Sequence, residues 1–417
     1  MIRTLLGSTA LLSAVILTVE ANAAKTNPTP TMATPQFKIA GQSSFNSYFF
    51  RNKRIFQAGN AEDSSCSRKK YGRGQLFAVD DARLKFLVEG RTDPGMEYGL
   101  VFVLDGNTDK DKIVREDYLF FGGTWGKVYL GDTYGVQNSM AFGGYDQWGG
   151  TGFLDGGMFD RVVNQTTGAP ASIDLVGDTS RDTKLTYLTP RVYGFQAGVS
   201  YTPRTEHRGE QTIEARRSVV TPKEPFDTDN VASGINFIHK FANGFEMGLS
   251  ATSIFAQAHS EYRSAPVRKN VASYAFGGTI SYAGAGFSAE YGNNGRSHAF
   301  KEGKHRPNAG QFLDFGLSYM WGATKLSTGY YYGWRHALAA NLSRRQAKTN
   351  AFSAAIDQKL APGLGVYVEY AHFKMKNRAA SAEAARVNAV LKPCNQFIGP
   401  VKSNTANVFV VGSRVVF

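Results

Sequence analysis

Cysteine is nearly absent from the chain, with 2 in 417 residues, which excludes a small fold stapled by many disulfides. Long apolar runs are also missing. Beyond the first two dozen positions no stretch of about 18 apolar residues occurs, so the sequence contains no transmembrane helix; the negative mean hydropathy agrees. No linker, composition shift or fixed-period repeat divides the chain, which excludes a solenoid and argues for one large domain. Acidic residues are outnumbered 34 to 47, giving a net charge of +13, but the basic residues are scattered and give no nucleic-acid patch. The seven histidines, at 207, 239, 259, 298, 305, 336 and 372, fall mostly in different connections. None has a Ser or Asp beside it in a recognisable nucleophile–base pattern, so catalysis is not expected, and no cofactor is implied.

The opening stretch MIRTLLGSTALLSAVILTVEANA carries one base, Arg3, an apolar run from Leu5 to Val19, and the small-x-small site Ala21-Asn22-Ala23. It reads as a cleaved secretory signal over residues 1–23, leaving 24–417 as the mature domain. An exported chain without a membrane helix can still span a membrane as a barrel.

Forty-five Gly, twenty Tyr and twenty-nine Phe indicate an all-β chain. Sixteen segments have strand character: 36–50, 74–89, 95–105, 114–122, 126–133, 181–189, 194–202, 230–241, 244–258, 270–282, 286–293, 311–321, 324–334, 349–360, 364–376 and 404–417. Between them, tight Gly/Pro/Asn turns such as GRTDPG, FANGF and LAPGL alternate with long polar connections. Strict short–long alternation puts the turns at one end and the loops at the other, the plan of an antiparallel transmembrane β-barrel with short periplasmic turns and long extracellular loops.

An even strand number brings NVFVVGSRVVF beside FKIAGQSSF and removes the sheet edges, with Phe417 closing the barrel and facing lipid. Faces follow from parity. Phe37, Ile39 and Phe45 oppose Lys38, Gln42, Ser44 and Asn46; Ala82, Leu84, Phe86 and Val88 oppose Asp81, Arg83, Lys85 and Glu89. Apolar outside and polar inside implies a water-filled lumen. Aromatics at strand ends, as in YFF (48–50) and GYYYGW (329–334), are either interfacial girdles or ordinary strand formers.

The longest connection, 133–180, contains Asp146, Asp155, Asp160, Asp174 and Asp178 against Arg161 alone, while the rest of the mature chain carries +17. Its centre, GGYDQWGGTGFLDGGMFD, is dense in Gly and aromatics and suits a loop folded compactly on other surface. Folded into the lumen as a third loop, it would set its carboxylates across from Arg83, Lys85, Arg115 and Arg181, and the transverse field would favour small polar solutes. The other reading is an exposed Asp-rich loop.

The stretches AVDDARLKFLVEG, REDYLFFGGTWGKVYLGDTYG and RDTKLTYLTPRVYGFQAGVSYTP, with the terminal Phe, resemble the general porins of Gram-negative outer membranes, and the likeness runs along essentially the whole mature chain. That resemblance implies a sixteen-stranded, homotrimeric passive diffusion channel with Arg83, Arg115 and Arg181 as the basic side of its constriction. It implies Asp155, with neighbours Asp146 and Asp160, as the acidic side. Two departures bear on ion preference: Gly131-Asp132 stands where the family commonly has Gly-Arg, and LDGG replaces its usual acid-Phe-Gly-Gly core. A substrate-specific channel, or an adhesin or receptor acting through its external loops, is the alternative; only about twelve mature residues precede the first strand, too few for a plug domain.

Smaller features remain. Cys66 and Cys394 fall in the first and last long loops, which barrel closure makes neighbours, so a disulfide between them is one reading and two separate thiols the other. The stretch from Asp105 to Glu116 has calcium-loop spacing at Asp105, Asn107, Asp109, Asp111 and Glu116, but Lys110 occupies the turn position that needs Gly. A solvated hairpin fits better. Basic loop residues, as in RNKR (51–54) and SRKKYGR (67–73), would contact phosphates of lipopolysaccharide.

Overall fold

The computed structural model describes residues 35–53, 72–93, 95–106, 113–162, 170–205, 208–209, 226–259, 267–299, 301, 307–336, 346–377 and 403–417. The segment 1–23, Cys66, Cys394, residues 107–112 of the calcium-like stretch and the basic residues Arg54, Arg68, Lys69 and Lys70 lie outside these. Sixteen strands are present: β1 (Gln36–Arg51), β2 (Arg73–Arg91), β3 (Glu97–Asp105), β4 (Val114–Gly123), β5 (Gly126–Asp132), β6 (Thr183–Leu188), β7 (Phe195–Arg204), β8 (Phe226–Lys240), β9 (Glu246–His259), β10 (Val271–Tyr282), β11 (Ala285–Asn293), β12 (Gln311–Trp321), β13 (Thr324–His336), β14 (Gln346–Ala361), β15 (Leu364–Asn377) and β16 (Ser403–Val416). Each pairs antiparallel with its neighbours in chain order, and β16 pairs with β1 to close the barrel.

At the seam Phe49 stands opposite Phe409 and Ser47 opposite Val411. Beyond the last ladder pair, Gly41 and Phe417 exchange both backbone hydrogen bonds at 2.9 Å, and the Phe417 ring lies over Gly41, where a Cβ would meet it at 2.4 Å. Phe417 is 68% exposed on the outer face. Among the described residues no helix is long and apolar enough to cross a membrane; the barrel crosses with strands.

The outer face is apolar, with Phe37, Ile39, Phe45, Phe77, Leu249, Phe276, Leu317 and Ile356 all exposed. A bulge refines the parity of β2. Asp81 adopts positive φ (53°) where the β1–β2 register shifts between Gln42 and Ser44. Phe77 and Val79 therefore face out above the bulge and Leu84, Phe86 and Val88 below it, because one extra residue reverses the alternation. Aromatic runs split between faces: Phe49 and Tyr330 are exposed outside, while Tyr48 and Tyr331 are fully buried inside.

The expectation of polar inward positions holds for part of the wall only. Inward residues of β13 to β16 and β1, including Tyr331, Phe373, Met375, Val408, Val410 and Tyr48, form an apolar core with residues of the long connection. Water is excluded there because the connection packs over those strands.

Candidate pore constriction

The connection between β5 and β6 follows the inner wall. After Asp132 the chain makes one short helical turn, α1 (Val136–Ser139), whose Val136 N–H donates to Ser200 Oγ on β7 at 3.0 Å. Asn236 Nδ2 on β8 donates to the Met140 carbonyl at 3.3 Å, and the Phe142 N–H donates to Ser250 Oγ on β9 at 2.9 Å. Further on, the Gly144 N–H donates to Asp314 Oδ1 on β12 at 2.5 Å and Trp148 Nε1 to the Phe315 carbonyl at 2.8 Å. The Gly150 N–H donates to Asp357 Oδ2 on β14 at 2.9 Å; the N–H and hydroxyl of Thr151 donate to Glu369 Oε2 on β15 at 2.8 and 2.7 Å. Arg414 on β16 donates to the Gly150 carbonyl. At the far end the Arg161 guanidinium lies 4.6 Å over the Tyr48 ring of β1. The return path is held by Tyr331 OH on the Ser172 carbonyl (3.0 Å) and Asn230 Nδ2 on the Gly177 carbonyl (2.7 Å).

Three features of the sequence set this path. The wall carries glycine where the loop backbone lies closest: a Cβ at Gly277 would sit 1.7 Å from the Phe142 carbonyl oxygen and one at Gly316 2.1 Å from that of Gly144. The loop aromatics supply an apolar footing, with Trp148–Phe153, Phe153–Phe373 and Phe159–Phe373 ring centroids 5.0, 5.7 and 5.8 Å apart; each fully buried side chain of this size contributes about 1.5–3 kcal/mol. Finally Asp314, Asp357 and Glu369 form a clasp of carboxyl oxygens that accept loop N–H groups, each such bond being worth about 0.5–1.5 kcal/mol net and more where the carboxyl is charged.

The facing wall carries the arginines. Arg83 (β2), Arg115 (β4) and Arg181, two residues before β6, gather in one cluster and take carboxylate partners from the wall itself. Arg83 pairs with Asp81, Arg115 Nη1 donates to Asp105 Oδ2 on β3 at 3.0 Å, and Arg181 Nε lies 3.9 Å from Glu116 Oε1 on β4. Arg208, unforeseen from sequence, joins them: its Nε lies 3.4 Å from Asp132 Oδ2 and its Nη2 donates to the Arg115 carbonyl at 2.6 Å. Burial, then the like charge of Arg115, pushes the Arg181 guanidinium down to about 9, against the pull of Glu116, so it remains cationic at neutral pH. Lys85 follows on the same face of β2, opposite Ala40.

The three loop acids differ. Asp146 accepts the Gly143 N–H at 3.0 Å and closes its own turn, Asp155 is 4% exposed, and Asp160 is solvent-exposed. Asp155, Asp160 and Asp174 line a cavity of about 150 Å³ with Leu154, Phe159 and Ile173. Asp105 and Glu116, the ends of the calcium-like stretch, are engaged with arginines. The Gly131-Asp132 departure now has a physical role, since Asp132 holds Arg208 and accepts the Thr183 hydroxyl at 2.5 Å.

A closed antiparallel barrel with an apolar exterior, and a loop seated against its inner wall, defines a transmembrane channel. Comparison with known proteins is consistent throughout. The Gram-negative porin family model matches residues 32–378. An uncharacterized protein of Rickettsia conorii is 24% identical, covering 98% of this chain and 99% of its own, and an uncharacterized Rickettsia felis protein is 24% identical over 98% and 99%. Among solved structures, an anion-selective porin from Comamonas acidovorans superposes with a TM-score of 0.57 at 13% identity, covering 92% of this chain and all of that one. The trimer form of the Vibrio cholerae outer membrane protein OmpT gives 0.57 at 12% identity over 92% and 99%. The chain belongs to the Gram-negative porin family and is an outer-membrane channel protein.

Proposed function

We propose that this channel passes small hydrophilic solutes and ions passively down their gradients, as a homotrimer in the bacterial outer membrane, with the tight turns on the periplasmic side and the long loops outside. Residues 1–23 direct export and are removed. The observation that carries this reading is the β5–β6 connection, seated on the inner wall from β7 round to β1 by bonds to Ser200, Ser250, Asp314, Asp357 and Glu369. A loop fixed in this way narrows the lumen without filling it.

The solute path runs between that loop and the wall of β2 to β5. Arg83, Arg115 and Arg181 line its basic side, each balanced by a nearby carboxylate, and Asp160 lines the opposite side with Asp146 and Asp155 behind it. Paired charges orient dipolar solutes without a strong net potential, so selectivity among ions is weak. The porin family and the barrel fold support a channel rather than an enzyme. Lipopolysaccharide phosphates meet the basic outer rim.

Swelling of proteoliposomes in iso-osmotic uncharged sugars tests the reading. Swelling rates are expected to fall smoothly with solute size and to show no saturation. Saturation by one sugar would favour a substrate-specific channel, and no swelling with correctly folded protein would favour a receptor or adhesin barrel.

A further inference from the structure

One part of the lumenal wall is apolar although it takes no part in the core under the β5–β6 connection. On the tight-turn side of the arginines, strand register sets Lys85 opposite Val103, Leu87 opposite Val101, Val101 opposite Tyr118, and Phe120 opposite Tyr129. Residues directly opposite one another in an antiparallel pair share a face. That face is the inner one, because Leu119 and Leu130, of the other parity, are exposed outside.

Leu87, Tyr118, Phe120 and Tyr129 are half-buried, Val101 and Val103 are buried, and none of the six belongs to the core formed with the loop. The Phe120 ring lies over Gly99, where a Cβ would meet it at 2.5 Å. The Tyr118 and Tyr129 rings meet edge to face with centroids 5.8 Å apart. Three rings and three aliphatic side chains therefore make one facet across β2 to β5, about 14 Å wide at the usual strand spacing. Packing of the loop accounts for the apolar inner residues of β13 to β16 and β1, but not for these.

Charge stands at both edges of the facet. Above it, Lys85 and Arg83 lie two and four positions along β2 from Leu87; two positions are about 7 Å, which brings a lysine ammonium within reach of a group on the facet. Below it, Lys127 Nζ lies 5.9 Å from the Phe120 ring centroid and 3.2 Å from Glu97 Oε2, and Arg91 Nη2 donates to Glu97 Oε1 at 3.2 Å. Two bases share one carboxylate there. A flat apolar surface edged by bases is complementary to a solute with an apolar ring and one negative charge. What the fit needs is a base beside the rings, whatever else that base touches.

We propose that this facet is a binding subsite for aromatic monocarboxylates, with the ring on Leu87, Tyr118 and Phe120 and the carboxylate accepting from Lys85. The ring gains by leaving water and by packing against aromatic side chains. The carboxylate gains a charge-assisted hydrogen bond. The inference rests on the channel reading in one respect, that solutes reach this wall through the lumen; binding itself does not require passage.

The test is equilibrium dialysis of radiolabelled benzoate, acetate and benzyl alcohol against the full chain purified as the folded oligomer, with conductance recorded on the same preparation. Benzoate is expected to bind saturably, at least about tenfold more tightly than acetate, which lacks the ring, or benzyl alcohol, which lacks the charge. Lys85→Gln is expected to weaken benzoate about tenfold and to leave benzyl alcohol unchanged. Leu87→Gln, and Phe120→Leu in case a polar side chain there prevents folding, are expected to weaken benzoate and benzyl alcohol alike. Equal binding of the three solutes, or benzoate binding unchanged in the Lys85 variant, overturns the proposal. So does a Lys85→Gln protein that loses benzoate and benzyl alcohol equally, because that is loss of shape rather than of the carboxylate's partner. A conducting oligomer without the benzoate preference removes this site and leaves the channel; the preference in an oligomer that does not conduct leaves the site and removes the channel reading.

Discussion

Arg115 and Glu369 show what single residues contribute on opposite sides of the lumen. Arg115 is 5% exposed and its Asp105 partner 8%, so removing either takes a hydrogen-bonded counter-charge from a buried group. Breaking such a pair costs about 3–5 kcal/mol. Arg115→Ala should therefore lower the temperature at which the folded barrel unfolds on heat-shift electrophoresis; an unchanged temperature would show that water reaches Asp105 in the variant. Glu369 acts on the loop instead. Its carboxylate holds the N–H and hydroxyl of Thr151, so Glu369→Ala releases the middle of the loop while leaving the strand ladder intact. Frequent brief current closures at unchanged barrel heat stability are the expected result. Quiet, parental current would mean that Asp314, Asp357 and the apolar footing suffice alone.

At the scale of elements, the loop and the strands beneath it are one packing unit. Gly277→Ala should drive the Phe142 carbonyl off β10, because the added Cβ would lie 1.7 Å from its oxygen; overpacking of this kind costs about 1–3 kcal/mol. Gly278→Ala, next along the strand and facing out, meets only the flexible end of Leu249 at 3.1 Å and the Gly248 carbonyl at 3.4 Å. Noisy channels in the first variant and parental channels in the second are expected, and equal behaviour would contradict the close approach. All sixteen strands were legible in the sequence because period-two alternation and Gly/Pro/Asn turns are local signals. The apolar inner wall was not. Val408 and Val410 lie on the inward parity of NVFVVG, but a strand apolar on both faces does not say what covers the second face. The clasp was hidden for the same reason: Glu369 is a lone acid in VYVEYAHF, and its partner Thr151 is 218 residues away.

For the whole molecule, barrel closure and the lumenal loop together make the function. The arginine cluster was legible as Arg83, Arg115 and Arg181, whereas its compensation by Asp81, Asp105, Glu116 and Asp132 was not, since it depends on strand register and on Arg208 reaching in from another loop. The central claim is that ions cross through the gap between the exposed Asp160 side of the loop and that wall. Single-channel recording in planar bilayers under a salt gradient, for the parent and for Asp160→Asn, tests it directly. Conductance in steps of three, with a zero-current potential that moves toward anion preference in the variant, is the predicted result. Absence of conductance from folded trimers, or a zero-current potential identical in the two proteins, would contradict the account.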